Sequence, residues 1–221
     1  MNGPSLSGKP KAILFDWDNT LVDSWEVIHL TLNATLTNYG MEPWTAAQTR
    51  QRVRKSLRDS FPVLFGDHWR EAADYFYAYF ETIHLEKLTP LPGAAELLAD
   101  ISAAGIYLGV VSNKTGAYLR REAEFLGWDR HFSKIVGAND AKNDKPSPDP
   151  VHLALSAGPV KAGAEVWFVG DADIDMECAV NTGCIPVLLR KKAPGENEFD
   201  LSQSVCHVVE CQELANIVKA M

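Results

Sequence analysis

The chain has 221 residues, 46% apolar and 23% charged, with a formal net charge of -8 from 29 acidic and 21 basic residues. That length holds one large domain, or one domain with a smaller insert, around a sizeable core. The acidic balance gives no overall pull toward nucleic acid or an anionic membrane, and no window approaches the ~18 apolar residues of a spanning helix.

Residues 1–10, MNGPSLSGKP, lack the apolar stretch of a signal peptide and read as a flexible tail. Lys11 to Asp16 follows as an apolar run ending in a carboxylate. Short continuous apolar runs suit strands buried on both faces, as in a parallel sheet. From about Asp23 to Leu88 no strand-like run occurs. Trp25, Ile28, Leu32 and Leu36 keep helical spacing, as do Trp69, Ala73, Phe76, Tyr77 and Phe80. The aromatic stripe reads most simply as a packing face, with a ligand box as the alternative. Residues 23–88 are therefore expected as a helical insert, closed by the turn-rich Thr89-Pro90-Leu91-Pro92-Gly93.

Beyond the insert, apolar runs at Ile106–Val111, Lys134–Gly137, Glu165–Val169 and Ile185–Leu189, with a weaker one at Val205–Val209, alternate with helical patterns. One pattern follows Pro92-Gly93 and stops at Gly105. Another spans Thr115 to Leu126 before Gly127. A third opens at Pro148-Asp149-Pro150, with Asp149 as cap and Pro150 in the first helical position. The fourth runs from Asp173 to Thr182 before Gly183. Alternating strands and helices predict a doubly wound α/β fold with a mainly parallel sheet, built from residues 11–22 and 89–221.

In such sheets ligands bind at the carboxyl ends of the strands. Those ends carry Asp16 and Asp18, then Ser112 and Asn113, then Asp171, with Lys145 in a polar loop after the third run. Carboxylates, a hydroxyl and an ammonium on one edge suit phosphoryl transfer. A phosphate monoester needs a nucleophile, a proton donor for the leaving alkoxide and positive charge on the phosphoryl oxygens. Asp16 can attack phosphorus. Asp18, two residues on, can protonate the leaving group and later activate water. Ser112 and Lys145 can bind phosphoryl oxygens. Carboxylates facing a phosphate call for a cation, and Mg²⁺ takes such oxygen ligands, with Asp171 a natural donor. Each residue also has a plainer reading. Asp16 or Asp171 could cap the next helix, Asp175 could be a first-turn carboxylate facing the helix dipole, Ser112 could be a loop hydroxyl, and Lys145 a solvated charge.

The motifs together resemble the haloacid dehalogenase (HAD) superfamily. AILFDWDNTLVDS is similar to its DxDx[TV] motif, VVSNK to its second motif, NDKPSPDP to its Lys-Pro loop and FVGDADIDMECAVNTG to GDxxxD. The insert falls where the phosphoglycolate phosphatase-like branch carries an all-helical cap. The resemblance implies a Rossmann-like core and a Mg²⁺-dependent phosphatase of a small phosphorylated metabolite, with phosphoglycolate the leading candidate. Asp16 would be nucleophile and metal ligand. Asp18 would be acid/base, with its backbone carbonyl on the metal, and Asp171 would complete the metal site. Asp175 would support it, Thr20 would hold the Asp18 loop, and backbone amides at Trp17 and Asn113 would contact phosphate. Trp17 and Asn19 depart from the commoner Leu and Gly; Asn tolerates unusual backbone angles.

In the insert, the basic run Arg50, Arg52, Arg54, Lys55 and Arg58 is either a solvated face or, through Arg54, Lys55 or Arg58, a reader of a second anionic group on substrate. A β-phosphoglucomutase-like transferase and a catalytically idle partner-binding protein are the alternative readings. The presence of Asp18 argues against a dehalogenase or a phosphonate hydrolase. The four cysteines, Cys178, Cys184, Cys206 and Cys211, form no CxxC pair and read as reduced thiols of a cytoplasmic protein. Neither nucleic acid nor membrane is expected as a partner, and the protein is expected as a monomer or homodimer.

Overall fold

The computed structural model describes residue 6 and residues 8–158, 160–195, 198–199 and 205–221. Most of the expected tail therefore lies outside the described residues. The chain divides into two compact units, Met1–Val22 with Pro90–Met221, and Asp23–Thr89.

The first unit is an open α/β fold. Its strands are β1 (Ala12–Phe15), β4 (Tyr107–Thr115), β5 (Lys134–Ala138), β6 (Val166–Gly170), β7 (Ile185–Leu189) and β8 (Cys206–Val208). They form one six-stranded sheet in the order β5-β4-β1-β6-β7-β8, and its neighbouring strands pair in parallel. All four residues of β1 are buried, as are all five of β6, which is why both read as unbroken apolar runs. From β1 the chain builds outward through β4 to β5, then recrosses to β6 on the other side. The strand order thus reverses at β1, and the crevice at such a reversal is where open α/β sheets bind ligands.

Helices α5 (Ala94–Ala103), α6 (Gly116–Phe125), α7 (Asp149–Ala154), α8 (Asp173–Asn181) and α9 (Cys211–Lys219) link or follow the strands. Leu14, Val111, Val136 and Phe168 of the sheet form one core with Val151, Ala154, Cys178 and Ala179 of α7 and α8. Helix α9, with Leu214, Ala215 and Val218 buried, is not anticipated by the patterns above. Two boundaries also differ. Asp149 is the first helical residue of α7, with Pro148 as its cap and Pro150 in the second position. A proline is tolerated there because first-turn N–H groups have no helical acceptor.

Strand β4 continues to Thr115, so Ser112 and Asn113 lie within it rather than after it. Its pairing with β5 shifts register between Val111 and Thr115. A bulge of this kind re-aims side chains at a sheet rim without ending the strand.

The second unit holds α1 (Trp25–Asn38), α2 (Ala46–Arg52), α3 (Leu57–Phe65) and α4 (Trp69–Ile83). Two short strands, β2 (Val22–Asp23) and β3 (Thr89–Pro90), pair where the chain leaves and rejoins the sheet. Thr45 and Gln48 close a capping box on α2: the Thr45 hydroxyl accepts from the Gln48 N–H at 3.2 Å, and the Gln48 side chain accepts from the Thr45 N–H at 2.8 Å. Leu32, Leu36, Phe61, Phe65, Ala72 and Ala73 form the core of the unit. Phe76 packs edge-on to Phe61 at 5.5 Å and stacks on Phe80 at 5.9 Å, so the aromatic stripe is a packing face. Among the described residues, no helix is long and apolar enough to cross a membrane.

Candidate active site

Asp16 directly follows β1, and its N–H donates to the Val169 carbonyl of β6 at 2.8 Å. The chain then turns tightly. Leu21 and Val22 N–H groups both donate back to the Trp17 carbonyl, at 3.0 and 3.2 Å, and Asn19 sits at φ 62. A left-handed residue is needed here, and asparagine supplies it without glycine. The turn keeps Asp16, Asp18 and Thr20 near the strand end.

Lys145 stands at the centre of the acidic residues. Its Nζ donates to Asp16 Oδ1 and to Asp175 Oδ1, each at 2.7 Å, and its side chain is 2% exposed. Its backbone is held as firmly. The Asn113 side chain accepts from the Lys145 N–H at 2.9 Å and donates to the Lys145 carbonyl at 3.1 Å. The bulged end of β4 thereby fixes the loop that delivers the lysine. Ser112 is buried, and its hydroxyl accepts from the Lys114 N–H at 3.2 Å.

Asp171 follows β6, and Thr20 donates to its Oδ1 at 3.5 Å. Arg190 donates to the Asp171 carbonyl at 3.3 Å and to Glu198 at 2.6 Å. Asp175, in the first turn of α8, does two jobs. Its Oδ2 accepts from the Ala172 N–H at 3.0 Å, which caps the helix, while its Oδ1 holds Lys145. The first-turn reading of this residue thus holds in the structure, and the same carboxylate also pairs with Lys145. Gly170 makes room for it: a Cβ at 170 would lie 2.3 Å from the Asp175 carboxyl carbon.

Oxygens of Asp16, Asp171 and Asp175 lie within 4.8 Å of one another. Burial is the main force pushing Asp16 up, from 3.8 to about 6; Lys145 opposes it, and Asp175 and Asp18 add to it. Asp171 is held well above the usual carboxylate range, again by burial first and then by Asp175 and Asp16. For Lys145 burial works against the charge, but Asp16 and Asp175 outweigh it and raise the ammonium above its ordinary value. One ammonium thus faces three crowded carboxylates. An all-oxygen donor set with surplus negative charge fits a hard divalent cation.

The Asp18 carboxylate is directed elsewhere. Its Oδ1 accepts from Lys114 Nζ at 2.7 Å; the same ammonium donates to Glu122 Oε2 at 2.7 Å, and the Trp17 indole N–H donates to that oxygen at 2.8 Å. Lys114 and Glu122 carry no role in the sequence reading. Lys114 was visible beside Ser112 and Asn113. Glu122 shares the apolar face of α6 with Leu119 and Ala123, at helical spacing, and is 1% exposed. A charge on an apolar helical face was the available signal.

Within the helical unit, Arg54 and Lys55 are exposed between α2 and α3, and Arg58 is half-buried in α3. A cavity of about 190 Å³ in this unit is lined by residues that include Trp25, His29, Thr49 and Arg50, and by none of those three. Arg50 and Arg52 stack over Trp25 and Trp44, at 5.7 and 4.7 Å to the ring centres.

A family model described as haloacid dehalogenase-like hydrolase matches residues 13–188. The chain belongs to that family, and it is an enzyme of the phosphatase type. It is similar to a phosphoglycolate phosphatase of Aquifex aeolicus, 30% identical over 177 residues that cover 78% of this chain and 81% of the relative. It is also similar to the pyrophosphatase PpaX of Bacillus velezensis, 29% identical over 175 residues, covering 78% and 79%. In fold it resembles a haloacid dehalogenase-like hydrolase of Bacteroides fragilis, with TM-score 0.83 and 22% identity over 92% of this chain and 99% of that one.

Proposed function

We propose that the chain is a Mg²⁺-dependent phosphomonoesterase that cleaves a small phosphorylated metabolite through an aspartyl phosphate on Asp16. The observation that carries this reading is the position of Asp16: buried at the strand reversal, 2.7 Å from Lys145 and clustered with Asp171 and Asp175.

Asp16, Asp171 and the Asp18 backbone carbonyl would hold Mg²⁺, with Asp175 in support, and the bound cation would offset the charge of phosphate against these carboxylates. A carboxylate oxygen of Asp16 attacks phosphorus. The ester P–O bond breaks, and its electron pair leaves on the substrate oxygen, which takes a proton from the Asp18 carboxyl. Water then attacks the same phosphorus and gives its proton to the Asp18 carboxylate. The bond from phosphorus to Asp16 breaks, releasing inorganic phosphate and restoring the carboxylate. Lys145, Ser112 and the backbone amides of Trp17 and Asn113 bind the phosphoryl oxygens.

Phosphoglycolate is the first substrate to test, because the Aquifex relative carries that name and the basic run, with Arg54 and Lys55 exposed, suits a second, carboxylate group. Arg54, Lys55 and Arg58 are the proposed specificity residues. We place the enzyme in the cytoplasm on its four buried cysteine thiols, none of them in a disulfide.

The test is phosphate release from a panel of phosphorylated metabolites, with and without Mg²⁺, beside Asp16→Asn. Mg²⁺-dependent release, lost in the variant, is the expected result. Release that persists in Asp16→Asn overturns the nucleophile. Isomerisation of a sugar phosphate without net release would make the chain a transferase instead.

A further inference from the structure

We propose that Lys114, anchored by Glu122 and Trp17, is a positioning residue that sets the Asp18 carboxylate for its proton transfers. The inference rests on the reading of Asp18 as acid/base given above.

Asp18 sits on a turn of the β1 loop, where its side chain alone would have several rotamers. Lys114 Nζ grips Asp18 Oδ1 at 2.7 Å, and the lysine side chain is only 7% exposed. The lysine is itself restrained, since the buried Glu122 lies 2.7 Å on its far side. Glu122 is restrained in turn by the Trp17 indole N–H at 2.8 Å. Trp17 is fully buried, and its ring meets Trp128 and Phe132 edge-on at 5.8 and 6.4 Å. The series runs from a rigid aromatic core to a carboxylate at the site rim. A leucine at 17 could not donate to Glu122, so the tryptophan at this position gives the buried glutamate a second hydrogen bond beside that of Lys114.

Burying Lys114 and Glu122 has a desolvation cost that a purely structural ion pair often fails to recover. A carboxylate that must hold its place within a fraction of an ångström gains from such restraint, because misplacement of a reacting group by about 1 Å is worth roughly 100-fold in rate.

The test uses p-nitrophenyl phosphate under rapid mixing. Its leaving group departs without a proton, so phosphorylation of Asp16 needs Asp18 little. Hydrolysis of the aspartyl phosphate needs Asp18 as base. Lys114→Met alone would strand a buried Glu122, so the working variant is Lys114→Met with Glu122→Gln, checked for folding by its melting curve. The expected result is a burst of p-nitrophenolate at close to the wild-type rate, followed by steady turnover lower by about 10- to 100-fold. Lys114→Arg, which keeps a cation, should recover part of the steady rate. A folded double variant with an unchanged steady rate overturns the proposal. So does a parallel fall of burst and steady rates, which a general loosening of the site would give. Failure of the underlying reading looks different: wild-type enzyme would show no turnover, or Asp16→Asn would retain it.

Discussion

Lys145 donates to Asp16 across 2.7 Å, in a site where the lysine side chain is 2% exposed. With Asp175 on the same ammonium, Lys145 offsets part of the charge that burial and crowding make costly for these carboxylates.

Lys145→Met should therefore be costly. The metal-free variant is expected to lose about 3–5 kcal/mol of stability, the usual effect of stranding a buried charge. Turnover should fall by at least ~100-fold through lost charge stabilisation of the phosphoryl group. Urea unfolding in EDTA and phosphate release measure the two effects. An unchanged unfolding midpoint would remove the lysine from this role.

Mg²⁺ should stabilise the wild-type protein, and EDTA should reverse the gain. At a concentration 100 times the dissociation constant the expected gain is about 2.7 kcal/mol. Asp171→Asn should shrink the Mg²⁺-induced shift in melting temperature far more than it alters the melting temperature in EDTA. Equal shifts in the two proteins would place the cation elsewhere.

The metal-free protein should also respond to pH. Asp16 is raised from 3.8 to about 6 in the folded chain, so between those values the folded state binds more proton than the unfolded one. Its stabilising contribution is complete below the lower value and is lost as pH rises through the upper one. Asp171 is shifted in the same direction. In EDTA, melting near pH 5 should exceed melting near pH 7.5, with a contribution of about 1–3 kcal/mol. Saturating Mg²⁺ should diminish the difference, because the cation takes the proton's place. A flat profile in EDTA would mean that Asp16 is ionised throughout.

The thiols offer an independent check on the core. Burial pushes Cys178 up to about 12 and Cys211 up to about 11. Both should resist iodoacetamide near pH 8 in the native protein and react once urea unfolds it. Fast native labelling of Cys178 would contradict its burial in the core that α8 shares with the sheet and α7.

Much of this arrangement could be read along the chain, for reasons that are local. β1 is buried on both faces, so it appears as an apolar run, and the carboxylate that ends it marks the rim. Glycines at 105, 127 and 183 adopt positive φ where helices stop, and they mark those stops in the sequence. The Lys114–Glu122–Trp17 series was not legible in this way. Its members belong to three elements, and nothing in their spacing announces that one glutamate oxygen receives both an indole and an ammonium. The reach of β4 past Ser112 was hidden for a related cause. A bulge is a property of pairing with β5, which the polar residues after Val111 do not reveal.

Gly170 carries a final consequence. The space a methyl group would occupy there is already filled by the Asp175 carboxyl group, and the displaced carboxylate would release the α8 amide and Lys145 together. Even alanine, the smallest change available, would act on three groups at once: the strand end, the helix start and the cation beside Asp16. Position 170 is thus a hinge pin with no clearance, and the accuracy of the acidic cluster depends on an atom that the chain leaves out.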